Sequence, residues 1–244
     1  MGRKNIPTTR TCIFCGGSPT SQEHKFAAWI GRTLPRVQKH YDQHHWSVTK
    51  PLTWLRFKTK RSILDARLKV VCKECNNGWM SDLQDLAKPI ITPLILGERT
   101  TLEPQQVEIL ATWATMTAMV WEFSQPKLIG AAVPQEERTR FKAQPAPLPN
   151  WKFWIGRYFT DKTMDGRHKT ARHPSEITNK CDTQLTTIWI GHLFLHIFSS
   201  SWWCDYEPAC PHLLRALHMR QPISFPFAFD IDRLQGTIIS SGRV

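Results

Sequence analysis

Four cysteines fall in two Cys-x-x-Cys pairs: Cys12 and Cys15 in "CIFCGG", Cys72 and Cys75 in "VCKECNNGW". Each such turn aims two thiolates at one point, and two turns complete the tetrahedral shell that structural zinc takes. Four sulfurs close the coordination sphere, so this ion would brace the fold without activating water. A thioredoxin-like redox site and four incidental thiols are the competing readings of the spacing. Glu23 and His24 stand side by side after the first pair, and Asn76 directly follows the second. Zinc pinning the two turns together would bring these three residues into one neighbourhood. A carboxylate oxygen and a carboxamide oxygen are hard ligands for Mg2+ or Mn2+. An imidazole near neutrality can take a proton from water, while a divalent ion neutralises charge on a scissile phosphate. Together these are the parts of a phosphodiester-hydrolysing site. The alternative for His24 is a satisfied histidine in a zinc-stabilised fold that does no chemistry. Neighbours on a regular strand face opposite sides, so Glu23 and His24 can share a site only at a bend, bulge or strand end.

The run "CIFCGG…QEH…VCKECNNGW" resembles the zinc-bearing HNH endonucleases, whose active site is a ββα-metal (treble-clef) unit. The similarity is to the branch in which two Cys-x-x-Cys knuckles hold zinc beside the catalytic centre, as in phage junction-resolving endonucleases. It covers residues 11 to 86. The resemblance implies that Glu23 binds the catalytic divalent ion, that His24 is the general base and that Asn76 helps hold the ion. Cys12, Cys15, Cys72 and Cys75 would be the ligands of the structural zinc. Aspartate is the commoner residue before the family's histidine, where this chain has Glu23. The family's last ligand, a helical turn further on, has no clear counterpart near Ser81 and Asp82.

Charge agrees with a polyanionic partner. The 244-residue chain carries a net +12. Between Lys25 and Val71, eleven Lys and Arg face two acids, so a net +9 lies on the segment joining the cysteine pairs. Within it, "LTWLRFKTKR" alternates with period two and predicts a half-buried strand whose cationic side carries Arg56, Lys58 and Lys60. With Lys39 and Arg61 these are the candidate contacts to a DNA backbone; an ordinary solvated strand face is the plain alternative.

The elements that must position this chemistry are α+β. Helices are expected after Cys75, capped by Asn77, with Trp79, Leu83 and Leu86 as its apolar stripe and an interruption at Pro89. Others are expected over 104–123, with Pro104 in the first turn, and over 134–142. "WKFWIGRYF", "TQLTTIWIGHLFLHIFSS" and "ISFPFAFDIDRLQGTIIS" predict antiparallel strands. Residues 1–97 form the expected zinc and nuclease module with an inserted hairpin or helix in its basic connector. Residues 98–244 form an accessory α+β region for specificity, dimerisation or partner binding. His192, His196, Trp29 and Trp79 read as structural, and Cys204, Cys210, His212 and His218 match no trusted zinc spacing. The polar start and the lack of any membrane-length apolar run place the protein, by expectation, in the cytoplasm. The expected activity is endonucleolytic hydrolysis of DNA; a non-catalytic zinc module that binds nucleic acid or protein is the alternative.

Overall fold

The computed structural model describes residues 11–18, 21–34, 41–49, 53–61, 66–124, 131–157, 164–171, 182–201 and 229–230. Lys39, Cys181, Cys204, Cys210, His212, His218 and most of the last predicted strand segment lie outside them. Helices and antiparallel sheets are mixed along the chain, the α+β class expected.

The amino-terminal part begins with the Cys12–Cys15 turn and strand β1 (Ser21–His24), followed by the short helix α1 (Ala28–Thr33). Strands β2 (Tyr41–Thr49) and β3 (Thr53–Arg61) pair with each other along their whole length as an antiparallel ribbon. The connector thus carries an inserted hairpin, and the alternating segment is a strand. Strand β4 (Arg67–Val71) returns to pair with β1, and helix α2 (Lys73–Asn77) starts from Cys72 as its N-cap.

Helix α3 (Trp79–Leu96) departs from expectation. Its N-cap is Gly78, Asn77 belongs to α2, and the helix runs through both Pro89 and Pro93. Each internal proline forfeits a backbone hydrogen bond and costs about 3 kcal/mol. Burial of Met80, Leu83, Ala87, Ile90, Ile91, Leu94 and Ile95 along one face offsets that cost. Leu86 is off this stripe, 56% exposed. Gly97, at φ 75°, ends the helix in the left-handed conformation, and the N–H of Glu98 reaches the carbonyl of Pro93.

After β5 (Thr101–Leu102), helix α4 (Pro104–Trp121) is the centre of the molecule. Pro104 sits in its first turn as predicted, and the Gln106 side chain accepts from the Glu103 N–H. Every residue from Leu110 to Trp121 is buried, all round the helix. Its core threonines return their hydroxyls to carbonyls one turn back, Thr115 to Ala111 at 2.9 Å and Thr117 to Trp113 at 2.8 Å. A 3-10 turn (Glu122–Ser124) and helix α5 (Gln135–Ala143) follow.

Strands β6 (Trp151–Arg157), β7 (Met164–Ala171), β8 (Thr183–Ile190) and β9 (Leu193–Ser200) form an antiparallel sheet in the order β6-β9-β8-β7. β7, "MDGRHKTA", is too polar to have been predicted. Strand β10 (Phe229–Asp230) pairs with β5. A single apolar cluster runs from Cys12 to Ile197, continuous across residue 97. Gln84 knots three helices together, its Oε1 accepting from the indoles of Trp29 (3.1 Å) and Trp113 (2.8 Å). Among the described residues no helix is long and apolar enough to cross a membrane.

Candidate metal centre and its surroundings

The four cysteines converge. The sulfurs of Cys12, Cys15, Cys72 and Cys75 all lie within 4.8 Å of one another, and Cys15 and Cys72 Sγ are 3.5 Å apart. Sulfurs at the corners of a zinc tetrahedron, each about 2.3 Å from the ion, are separated by about 3.8 Å. The cluster therefore fits zinc in donor type, number and size. Local backbone explains the convergence. Gly16, at φ 75°, turns the chain after Cys15, and the Gly17 N–H points back to Cys15 Sγ at 3.4 Å. At the second turn the N–H of Cys75 points to Cys72 Sγ, also at 3.4 Å, from the first turn of α2. Helix α5 braces the first turn from outside, through Gln135 Nε2 to the Ile13 carbonyl (3.0 Å). Trp79 packs edge-on against Phe14 and Phe141.

The thiols are electrostatically unequal. Burial alone would raise the Cys15 thiol, but the Gly17 N–H and the neighbouring sulfurs outweigh it and bring it down to about 7. Burial pushes Cys72 and Cys75 up; at Cys75 the indole N–H of Trp79 opposes it. The indole nitrogen is buried and lies near Cys75 without an acceptor at full hydrogen-bond geometry among the described residues, so a fully charged sulfur there would satisfy it. A metal-free cluster holds protons that zinc must displace.

Beside the cluster, β1 carries Glu23 and His24 and α2 carries Asn76. Asn76 Nδ2 donates to Ser21 Oγ at 2.6 Å, which ties the helix after the second knuckle to the strand. The β1–β4 register breaks between Ser21 and Glu23, then sets Glu23 opposite Leu68 and His24 opposite Arg67. Directly opposed residues share a face. Leu68 is fully buried and Arg67 exposed, so Glu23 belongs to the core side of the ribbon and His24 to the open side. The bulge thus precedes the pair and leaves its alternation intact; His24 is the last residue of the strand, and the chain bends just beyond it.

Each group has partners. Burial raises the Glu23 carboxyl to about 7, against a smaller opposing effect of the His24 backbone N–H. His24 Nε2 accepts from Arg67 Nε at 3.0 Å. Arg67 was not singled out from the sequence, although its place in the basic connector was the available signal. Arg56, Lys58, Lys60 and Arg61 all lie on β3 of the ribbon.

Half-buried Lys25, the residue after β1, also escaped the sequence. Burial lowers Lys25 to about 8, against the attraction of Asp165, and the Lys25 carbonyl accepts from Trp121 Nε1 at 2.6 Å. Deeper still, burial and the charges of Arg138 and Lys25 hold His168 near 3. Its Nδ1 shares a hydrogen bond with Thr186 Oγ1 at 2.7 Å. Arg138 is ion-paired with Glu122, which also accepts from the backbone N–H groups of Ala132 and Val133. His196, with Nδ1 on Thr187 Oγ1 at 2.8 Å, is held near 4 by burial, a structural histidine.

Fold and cluster together define a mixed α+β protein with a four-cysteine site able to hold a metal ion such as zinc. No protein-family model, no curated protein and no solved structure matches this chain, so that class is as far as comparison carries its identity.

Proposed function

We propose that this chain is a zinc-anchored, HNH-type endonuclease that hydrolyses DNA phosphodiester bonds. The observation that carries the reading is the 2.6 Å bond from Asn76 to Ser21, which ties the residue after the second knuckle to the strand ending at His24. The order knuckle, β1, β4, knuckle, α2 is that expected of a ββα-metal, treble-clef unit, with the hairpin inserted between its strands. A divalent ion held by Glu23 and the Asn76 carbonyl oxygen would supply charge neutralisation at the phosphate. Burial that keeps the Glu23 carboxyl near 7 also makes it ready to exchange its proton for a cation. His24, at the strand end on the open side, takes the proton of the attacking water. Arg67 holds Nε2 of that ring at rest. An incoming phosphate competes for the guanidinium, so substrate binding releases the nitrogen that must accept the proton.

The second reading is a zinc module that binds nucleic acid without cutting it. The separation of Glu23 and His24 onto opposite sides of the β1–β4 ribbon favours it. Supercoiled plasmid incubated with zinc-loaded protein in Mg2+ or Mn2+ decides between them. Endonuclease activity predicts nicking that His24→Ala abolishes, while Arg67→Ala weakens plasmid binding and leaves zinc content unchanged. Full binding with no nicking under either metal rejects the enzyme and leaves the module.

A further inference from the structure

The β2–β3 ribbon is unlike the other sheets of this protein. Among the described residues it is two-stranded, no third strand pairs with either edge, and no other element packs broadly against it. An isolated two-stranded ribbon is marginal in water, so one paired over nine residues a strand calls for something outside its own fold to lie against it. Its register says what. Trp46 opposes Arg56, His44 opposes Lys58 and Asp42 opposes Lys60, so these positions share one face, which Trp54 also joins opposite Val48. The other face pairs Gln43 with Thr59, Ser47 with Leu55 and Thr49 with Thr53. Three of the four cations of β3 thus fall on one face, alongside two tryptophans.

We infer that the β2–β3 ribbon is a duplex-DNA-binding element that enters the major groove, with the Arg56–Lys58–Lys60 face against the DNA. Nine residues a strand make a ribbon about 30 Å long, close to one turn of B-DNA. Its two strands fit a major groove about 12 Å wide. The deep, narrow major groove of A-form RNA excludes it, so the geometry selects duplex DNA over duplex RNA. Chain length couples the ribbon to the zinc-linked site. Arg61 and Arg67 are joined by a segment that spans at most about 20 Å, roughly six base pairs, so one duplex can lie along the ribbon and reach His24. The inference rests on the ribbon and not on the hydrolytic reading, although it names the form of DNA that such an enzyme would cut.

Full-length, zinc-loaded protein, without added Mg2+ or Mn2+, is titrated into labelled duplex DNA of about two helical turns, the equivalent duplex RNA, and the single strand. Wild type should bind duplex DNA at least about tenfold more tightly than either competitor. The triple variant Arg56→Ala/Lys58→Ala/Lys60→Ala should lose about tenfold or more in affinity and lower the salt slope by about 3. Gln43→Ala/Thr59→Ala, on the other face, should bind like wild type. Zinc content and far-UV dichroism report whether each variant is folded, and Lys58→Glu alone carries the same expectation should the triple variant misfold. Equal binding to duplex RNA or to the single strand overturns the inference, as does unchanged affinity in the cation variants. Tight duplex binding here together with no plasmid nicking in Mg2+ or Mn2+ leaves it standing and removes the hydrolytic reading; plasmid nicking that these variants leave unchanged does the reverse.

Discussion

Glu23→Gln separates what the Glu23 carboxyl costs the fold from what it offers a cation. Burial raises this group from an ordinary 4.5 to about 7. The fold therefore prefers the protonated acid: its contribution is fully present below the unfolded value and is lost as the pH rises through 7. Each pKa unit corresponds to about 1.4 kcal/mol, so charging Glu23 in place removes roughly 3 kcal/mol at pH 8.5 and less than about 1 kcal/mol at pH 5. Glutamine has nearly the same shape and carries no charge. Urea unfolding should find the variant near wild type at pH 5 and more stable by roughly 3 kcal/mol at pH 8.5. Mg2+ that binds the carboxylate would restore the wild type at pH 8.5 and leave the variant unmoved. An equal difference at both pH values would refute the assignment of burial as the cause. A pH-dependent gain insensitive to Mg2+ would keep Glu23 buried and remove it from the ion site.

Three further outcomes follow from the geometry. Glu122→Ala strands Arg138 and two backbone N–H groups in the core and should cost about 3–5 kcal/mol, on the order of 10 °C in melting temperature by calorimetry. Gly166→Ala drives a methyl group into the Trp121 ring and should cost about 1–3 kcal/mol in denaturant titration; because that indole holds the Lys25 carbonyl, amide exchange should rise at the end of β1 as well. Elemental analysis should find one zinc per chain, and the affinity measured by competition with a chelator should fall steeply as the pH drops below about 7, since the thiols must surrender protons to the metal.

Legibility in the sequence followed the range of the interactions involved. The cysteine cluster was readable because a Cys-x-x-Cys turn is a local device and zinc dictates its partner. β3, α4 and α5 were readable because their periodicity or capping residues lie within a few positions of one another. The prolines of α3 misled because a local rule that costs about 3 kcal/mol at each proline lost to seven buried side chains contributed by tertiary packing. β7 was invisible because its residues are mostly polar, and the Thr186 hydroxyl that meets Nδ1 of its buried His168 comes from the next strand. At the candidate site, the adjacency of Glu23 and His24 was plain from the sequence. Their assignment to opposite faces depended on a register that only the pairing with Leu68 and Arg67 fixes.

That register also shows why an ion held by the four cysteines would matter to any function here. Forty residues lie between Lys25 and Ala66, where the β1–β4 ladder ends with the Lys25 N–H on the Ala66 carbonyl. Closing a loop of that length costs about 3 kcal/mol in chain entropy, and a two-stranded ribbon as short as β1–β4 does not recover it in water. The cysteine pairs flank this hairpin, one before β1 and one after β4, so a shared ion would close the loop at its base whatever the insertion does. The insertion would then be free to carry a long ribbon, while the strand that ends at His24 and the Asn76 side chain bonded to its first residue, Ser21, keep their positions. On the proposed reading the cysteine-held ion and the basic ribbon would be two halves of one arrangement: the first would fix where the chemistry stands, and the second would take hold of the DNA.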